Sequence, residues 1–104
     1  MREFKIDLAD IEAVERFEKA LKNANEFKPQ ANTMAGALKE QCQIVRKFFD
    51  ECFGDGASQE RFGDKWNIAE HIEALVGVID NAYEAVDGLT TKSNTIIERI
   101  AARR

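Results

Sequence analysis

Hydrophobic residues recur at intervals of three and four along most of the chain, which is the spacing of amphipathic α-helices. In the first such stretch these residues are Ile11, Val14, Phe17, Leu21 and Ala24. Asp7 or Asp10 can cap the N-terminus of this helix. The Lys28-Pro29 step ends it, because a residue that precedes proline is disfavoured in the helical conformation. We therefore predict a first helix over residues 9–25.

A second helical stretch begins between Pro29 and Thr33 and continues to Phe53. Its hydrophobic positions form a wide stripe and comprise Met34, Leu38, Cys42, Val45, Phe48, Phe49 and Cys52. A stripe of this width predicts contact with more than one neighbour. The neighbours can be other helices of the same domain or a partner protein.

The segment from Gly54 to Lys65 interrupts the helical pattern with three glycines. Gly54 suits the left-handed position that often follows a helix, and residues 58–62 can form one short helical turn. No predicted strand precedes Gly54-Asp55-Gly56, and the Gly-x-Gly-x-x-Gly pattern is not completed. We interpret the segment as a turn between helices rather than as a phosphate-binding loop.

Two further helices are predicted after this segment. The hydrophobic positions of the third helix are Ile68, Ile72, Leu75, Val76, Ile79, Tyr83 and Val86. Asp64 or Asn67 can cap this helix, and Asp87-Gly88 is predicted to end it. The candidate N-caps of a fourth, shorter helix are Thr90, Thr91 and Ser93, and its hydrophobic positions are Ile96, Ile97 and Ile100.

The N-terminal residues follow a different period. Phe4, Ile6 and Leu8 alternate with Lys5 and Asp7, which predicts a short extended arm or strand. This arm can pair with a second copy of the protein or pack on the helices of its own chain. We expect an all-α fold, a three- to four-helix bundle with a short extended N-terminal arm, in a single domain over residues 1–104.

The composition narrows the functional classes. Of the 104 residues, 33% are charged and 44% are hydrophobic, and the formal net charge is −4. An acidic chain lacks the positive field that binds nucleic acid or anionic lipid. No apolar run is long enough to span a bilayer, and Met1 to Lys5 lead into no apolar signal-peptide region. We expect a cytoplasmic protein without nucleic-acid or membrane partners.

The titratable residues form no catalytic or metal-binding constellation, so we expect a protein that is not an enzyme and needs no cofactor or metal. His71 is the single histidine, and no second His or Cys stands three or four residues away. We interpret it as structural or solvent-facing. Cys42 and Cys52 lie ten residues apart, too far for a disulfide on one helix, and we predict that both are buried.

Two features point to protein partners. The third predicted helix has no Lys or Arg and five carboxylates, Glu70, Glu73, Asp80, Glu84 and Asp87. These form a solvated face, or they contact a basic partner or Arg99, Arg103 and Arg104 of another copy. Trp66 with its neighbouring Phe residues is either an aromatic cap under the loop or an interface anchor. The residues that we assign to partner binding are Phe4, Ile6, Phe49, Phe53, Phe62 and Trp66.

A motif spans the end of the second helix and the glycine-rich segment. It consists of Phe48-Phe49-Asp50-Glu51-Cys52-Phe53-Gly54-Asp55-Gly56, followed by Arg61-Phe62-Gly63 and Asn67. It resembles a pattern of small tail-assembly proteins from long-tailed phages and prophages of Gram-positive bacteria. The opening of the chain is similar to that family as well, with a Phe-x-Ile-x-Leu arm, an acidic residue and a Glu/Lys-rich helix.

The resemblance implies a chaperone role in phage tail assembly. Such chaperones are small, acidic and mostly helical, and they are not part of the finished virion. They coat the long, aggregation-prone tape-measure protein and bring tail-tube subunits to it, which requires apolar helical surfaces rather than catalytic residues. A prophage-encoded member acts in the cytoplasm of the host cell, and a homo-oligomer is compatible with this role.

Two other classes of function match parts of the sequence. A small adaptor or antitoxin-like module would bind a basic partner through the acidic helix, with salt-sensitive affinity. A secreted helical-hairpin protein, as in the small Trp-x-Gly family of specialised secretion substrates, matches in length and helicity. Against that class, Trp66 is followed by Asn67-Ile68, and no Gly occupies the required place.

Overall fold

The computed structural model describes the backbone of residues 4–102 and the side chains of residues 4–88. It contains four helices, α1 (Ile11–Asn25), α2 (Met34–Phe53), α3 (Ala57–Phe62) and α4 (Ile68–Ala102). Within residues 4–102 there is no β-strand. The prediction of an all-α, three- to four-helix fold is confirmed.

Three of the helices begin at side chains that satisfy the first backbone N–H groups. Asp10 accepts a hydrogen bond from the backbone of Glu12, and Thr33 accepts one from Gly36, both at 3.0 Å. Asn67 accepts from the backbone N–H of Glu70 at 3.1 Å. These caps fix where α1, α2 and α4 start, because unsatisfied N–H groups at a helix end are costly.

The predicted break at Asp87-Gly88 is wrong, because α4 is one continuous helix of 35 residues. The predicted cap residues Thr90, Thr91 and Ser93 lie within it. A glycine inside a helix costs only about 1 kcal/mol relative to alanine, and no proline follows to end the hydrogen-bond ladder. The described residues with positive φ are Gly54, Gly56 and Gly63, so Gly88 keeps a right-handed conformation.

The hydrophobic core is organised around α2, which packs against α1, α3 and α4. This arrangement confirms that the wide stripe of α2 contacts more than one neighbour, and the neighbours are helices of its own domain. Buried aromatic rings run through the core edge to face, with centroid distances of 6.0 Å for Phe17–Phe48, 6.1 Å for Phe48–Phe49 and 5.2 Å for Phe49–Phe62. Val78 and Ala82 complete this cluster from α4.

The N-terminal arm packs on the helices, which was one of the two alternatives that the sequence left open. The Phe4 ring lies 5.5 Å from that of Phe49 and 5.3 Å from that of Phe53, both in edge-on geometry. Ile6 is buried in the core cluster. The arm therefore covers the C-terminal part of α2 with apolar side chains.

Both cysteines are buried and unpaired, as predicted. Burial raises the pKa of the Cys42 thiol above its ordinary value. Burial, assisted by the carboxylate of Glu51 and opposed by Arg16, raises the pKa of Cys52 to about 12. Both side chains therefore act as small apolar residues that stay protonated at neutral pH.

The longest helix extends beyond the core. The molecule measures 64 × 30 × 21 Å, and a helix of 35 residues is about 52 Å long. The last buried residue of α4 with a described side chain is Ala82, and every residue from 83 to 88 is exposed. The α4 helix therefore leaves the body of the domain after Ala82.

Candidate functional site

The glycine-rich segment is a compact structural turn built around α3. Gly54 and Gly56 adopt φ values of 104° and 89°, which favour glycine. The Asp50 carboxylate accepts hydrogen bonds from the backbone N–H of Ser58 at 2.8 Å and from its hydroxyl at 3.1 Å. These bonds tie the start of α3 to the end of α2 and support the interpretation of the segment as a turn.

Arg46, on α2, binds the far end of this turn to α4. Its Nη2 donates to the carbonyl oxygens of Gly63 at 2.8 Å and Lys65 at 2.7 Å, and its Nε donates to Nε2 of His71 at 3.1 Å. A single guanidinium thereby joins α2, the loop after α3 and the first turn of α4. Planar, charged donors of this kind make hydrogen bonds that are stronger than neutral ones.

His71 is fully buried, so it is a structural residue rather than a solvent-facing one. Its Nδ1 lies 2.6 Å from the backbone carbonyl oxygen of Asn67. Because Nε2 accepts from Arg46, the ring proton is assigned to Nδ1, which donates to that carbonyl. Both ring nitrogens are thus used for hydrogen bonds within the chain.

Aromatic rings enclose the Arg46–His71 pair. The Phe62 ring stacks on the His71 ring at 3.9 Å between centroids and 10° between planes. The Trp66 ring lies 6.2 Å from His71 and nearly parallel to it, and the Arg46 guanidinium stands 4.3 Å from the Trp66 ring centroid. Trp66 therefore covers the pair on the outside while 48% of its own surface stays exposed.

Most of the residues assigned to partner binding from the sequence lie in the core. Ile6, Phe49 and Phe62 are buried, and Phe4 and Phe53 are partly buried against the same cluster. Their side chains are covered by the chain itself, because the arm, α3 and α4 fold over this part of α2. Of the six, Trp66 is the exposed one.

Sequence reasoning did not identify Arg46. One signal was available, since Arg46 directly follows Val45 and precedes Phe49 by three residues, within the wide apolar stripe of α2. A charged residue in such a stripe needs partners when the stripe is buried. The partners themselves are loop carbonyls 17 and 19 residues away, and no local pattern marks them.

A row of exposed apolar side chains lies on α4. We name it the α4 stripe and define it by five residues: Ile72, Val76, Ile79, Tyr83 and Val86. They follow one another at intervals of four, three, four and three, so they share one side of the helix. Ile79 packs partly against the core, and the other four are between 39% and 60% exposed.

An acidic column borders the α4 stripe. Glu73, Asp80 and Asp87 each follow a stripe residue directly, recur every seven residues and are exposed. Glu70 and Glu84 lie further round the same helix. None of the five carboxylates forms an ion pair with another described side chain. The negative charge of the acidic column is not neutralised by an ion pair with a described side chain, and Arg61 lines the same surface pocket as Glu73.

The comparisons with known proteins identify the family but no function. The model of a family of unknown function, DUF6673, matches residues 2–103, and the chain belongs to that family. No curated protein and no solved structure gives a significant match. Among the described residues, no helix is both long and apolar enough to cross a membrane, and no three His, Cys, Asp or Glu side chains converge as metal ligands.

Proposed function

We propose that this protein is a non-catalytic phage or prophage tail-assembly chaperone that binds the tape-measure protein and brings tail-tube subunits to it. The sequence resemblance supports this role, although the residues that carry it build the fold. Phe49 and Phe62 lie in the core, and Asn67 caps α4. The binding function itself falls to the exposed surface of the same fold.

The observation that carries the proposal is the α4 stripe. Four large apolar side chains are exposed along one side of a helix that continues beyond the core. Exposed apolar surface of this kind marks protein interaction sites. A seam with spacing of three and four residues fits a partner helix, whose own seam packs into it. A long helical client such as a tape-measure protein offers this surface, and binding would occur in the host cytoplasm.

The first test is the solution mass of the protein, alone and co-expressed with a candidate tape-measure protein. We expect a complex that co-elutes and a client that is soluble only in its presence. Val76→Asp should abolish the complex without loss of helicity, because Val76 is exposed. Asn81→Asp adds the same charge at an exposed position off the stripe and should leave the complex intact. If the wild-type protein forms no complex with the tape-measure protein, the proposal is contradicted.

A second candidate function is an adaptor or antitoxin-like module that binds a basic protein. The five carboxylates of α4 without ion-pair partners among the described residues favour it. The two functions differ in what holds the complex together. If the protein is an adaptor that binds through charge alone, Val76→Asp should leave its complex with the basic partner intact, and raised salt should dissociate that complex.

A further inference from the structure

We propose that the segment that binds the α4 stripe is an amphipathic helix whose apolar seam is bordered by Lys or Arg on the side of the acidic column. This inference rests on the proposed function and names the chemistry of its client.

The stripe and its acidic border follow a seven-residue repeat. In coiled-coil notation Val76 and Tyr83 occupy a positions, and Ile72, Ile79 and Val86 occupy d positions. The acidic column of Glu73, Asp80 and Asp87 then falls on three successive e positions. Side chains at e positions border the seam and face the flanking residues of the partner helix, where their charge selects the partner.

The other border of the stripe is already in use. Leu75 and Ala82 occupy the g positions, and both pack on the core of the protein itself. A helix docked on the α4 stripe would therefore contact the core of this protein along one border and the carboxylates of the acidic column along the other. The acidic column is the border at which charge distinguishes one client from another.

A second copy of the protein is a poor occupant of this surface. In an antiparallel pair of these stripes the e positions face each other, so Glu73, Asp80 and Asp87 would meet carboxylates of the same column, which is unfavourable. In a parallel pair the carboxylates of the acidic column would face the g positions Leu75 and Ala82 of the second copy. Those two residues already pack on the core of their own chain, so they offer the carboxylates no partner. The geometry therefore favours a different protein with basic flanking residues.

The test uses the whole chain and two synthetic three-heptad helices with the same apolar seam. One peptide carries Lys at its flanking positions and the other carries Glu. Exposed charge pairs contribute modestly, so three pairs should give about a tenfold preference for the Lys peptide at low salt. The preference should shrink at high salt because the charges are exposed and screened.

Two matched double variants test whether the preference for the Lys peptide comes from the acidic column. Glu73→Gln with Asp80→Asn removes two charges of the acidic column and should abolish most of the preference. Glu70→Gln with Glu84→Gln removes two charges from the same helix outside the column and should preserve most of it. Circular dichroism of both variants verifies that each remains folded, since all four residues are exposed.

The outcomes separate this inference from the proposed function. Equal binding of the two peptides, or preference for the Glu peptide, would overturn the inference and leave docking on the stripe intact. Binding of neither peptide, or a stable homodimer that Val76→Asp dissociates, would overturn it as well. A Lys preference in a protein that fails to bind the tape-measure protein would support the inference and contradict the chaperone role.

Discussion

Arg46 and His71 meet through a hydrogen bond of 3.1 Å between Nε and Nε2, with the imidazole fully buried. The same guanidinium holds two loop carbonyls, so the pair joins three parts of the chain that sequence separates. The acidic chain therefore holds a partly buried cation through neutral acceptors, two carbonyl oxygens and an imidazole nitrogen, rather than through carboxylates.

Replacing Arg46 should destabilise the fold strongly. Arg46→Met removes three hydrogen bonds and takes the donor from His71 Nε2 and from two loop carbonyls, which should lower the free energy of unfolding by about 2–4 kcal/mol. Lys47→Met is the matched control, because Lys47 is exposed and contributes one long ion pair to Glu51. That pair should be worth about 0.5 kcal/mol or less. Urea unfolding measures both, and equal effects would contradict the central role of Arg46.

Arg46 and His71 should behave as one unit. His71→Phe keeps a ring that can stack on Phe62 but removes both ring nitrogens. Groups that share a hydrogen bond give non-additive effects, so a double-mutant cycle with Arg46→Met should yield a coupling of about 1 kcal/mol or more. Additive effects, measured by urea unfolding of the two single variants and the double variant, would show that the contact contributes nothing to stability.

Gly88 tests the continuity of α4. A Cβ at this position meets no atom within 4 Å, and its φ is not positive, so Gly88→Ala should stabilise the protein by about 0.5–1 kcal/mol. Gly56→Ala should do the opposite, because its φ of 89° is unfavourable for alanine. Thermal unfolding with far-ultraviolet circular dichroism checks both. Destabilisation by Gly88→Ala would indicate a helix end at that glycine.

Cys52 should make stability fall at high pH. Burial raises the pKa of its thiol in the folded protein to about 12, against 9.0 ordinarily. The folded state therefore holds a proton that the unfolded state releases above pH 9, and stability is lost as the pH rises from about 9 towards 12. Unfolding at several pH values should show a weaker loss for Cys52→Ala than for the wild type. Parallel pH profiles would contradict this assignment.

The sequence predicted those parts of the fold that short-range patterns determine. The spacing of apolar residues located α1 and α2. Asp10 and Asn67 are each one of the two candidate caps that the sequence predicts for their helix, because a cap acts within three residues of itself. The predicted break at Gly88 is wrong because a single glycine weakens a helix locally but does not interrupt its backbone hydrogen bonds, which continue through α4.

The candidate site was harder to predict because burial depends on distant parts of the chain. The sequence alone does not show that Phe4 and Phe62 are covered, because their burial depends on the arm and α3 folding onto α2. The Arg46–His71 contact joins residues 25 positions apart. The acidic column was visible as a run of carboxylates, but its position beside an exposed stripe required knowledge of which face of α4 meets the core.

The departure of α4 from the body at Ala82 gives its two parts different protection of the backbone. Amides before that point lie in a helix packed on the core, and they exchange hydrogen with solvent only when the domain opens. Residues 83–88 have exposed side chains, so exchange there follows the local helix–coil equilibrium, which is fast for unsupported helix. Binding of a client to the α4 stripe should therefore slow amide hydrogen exchange most clearly in the residues that directly follow Ala82.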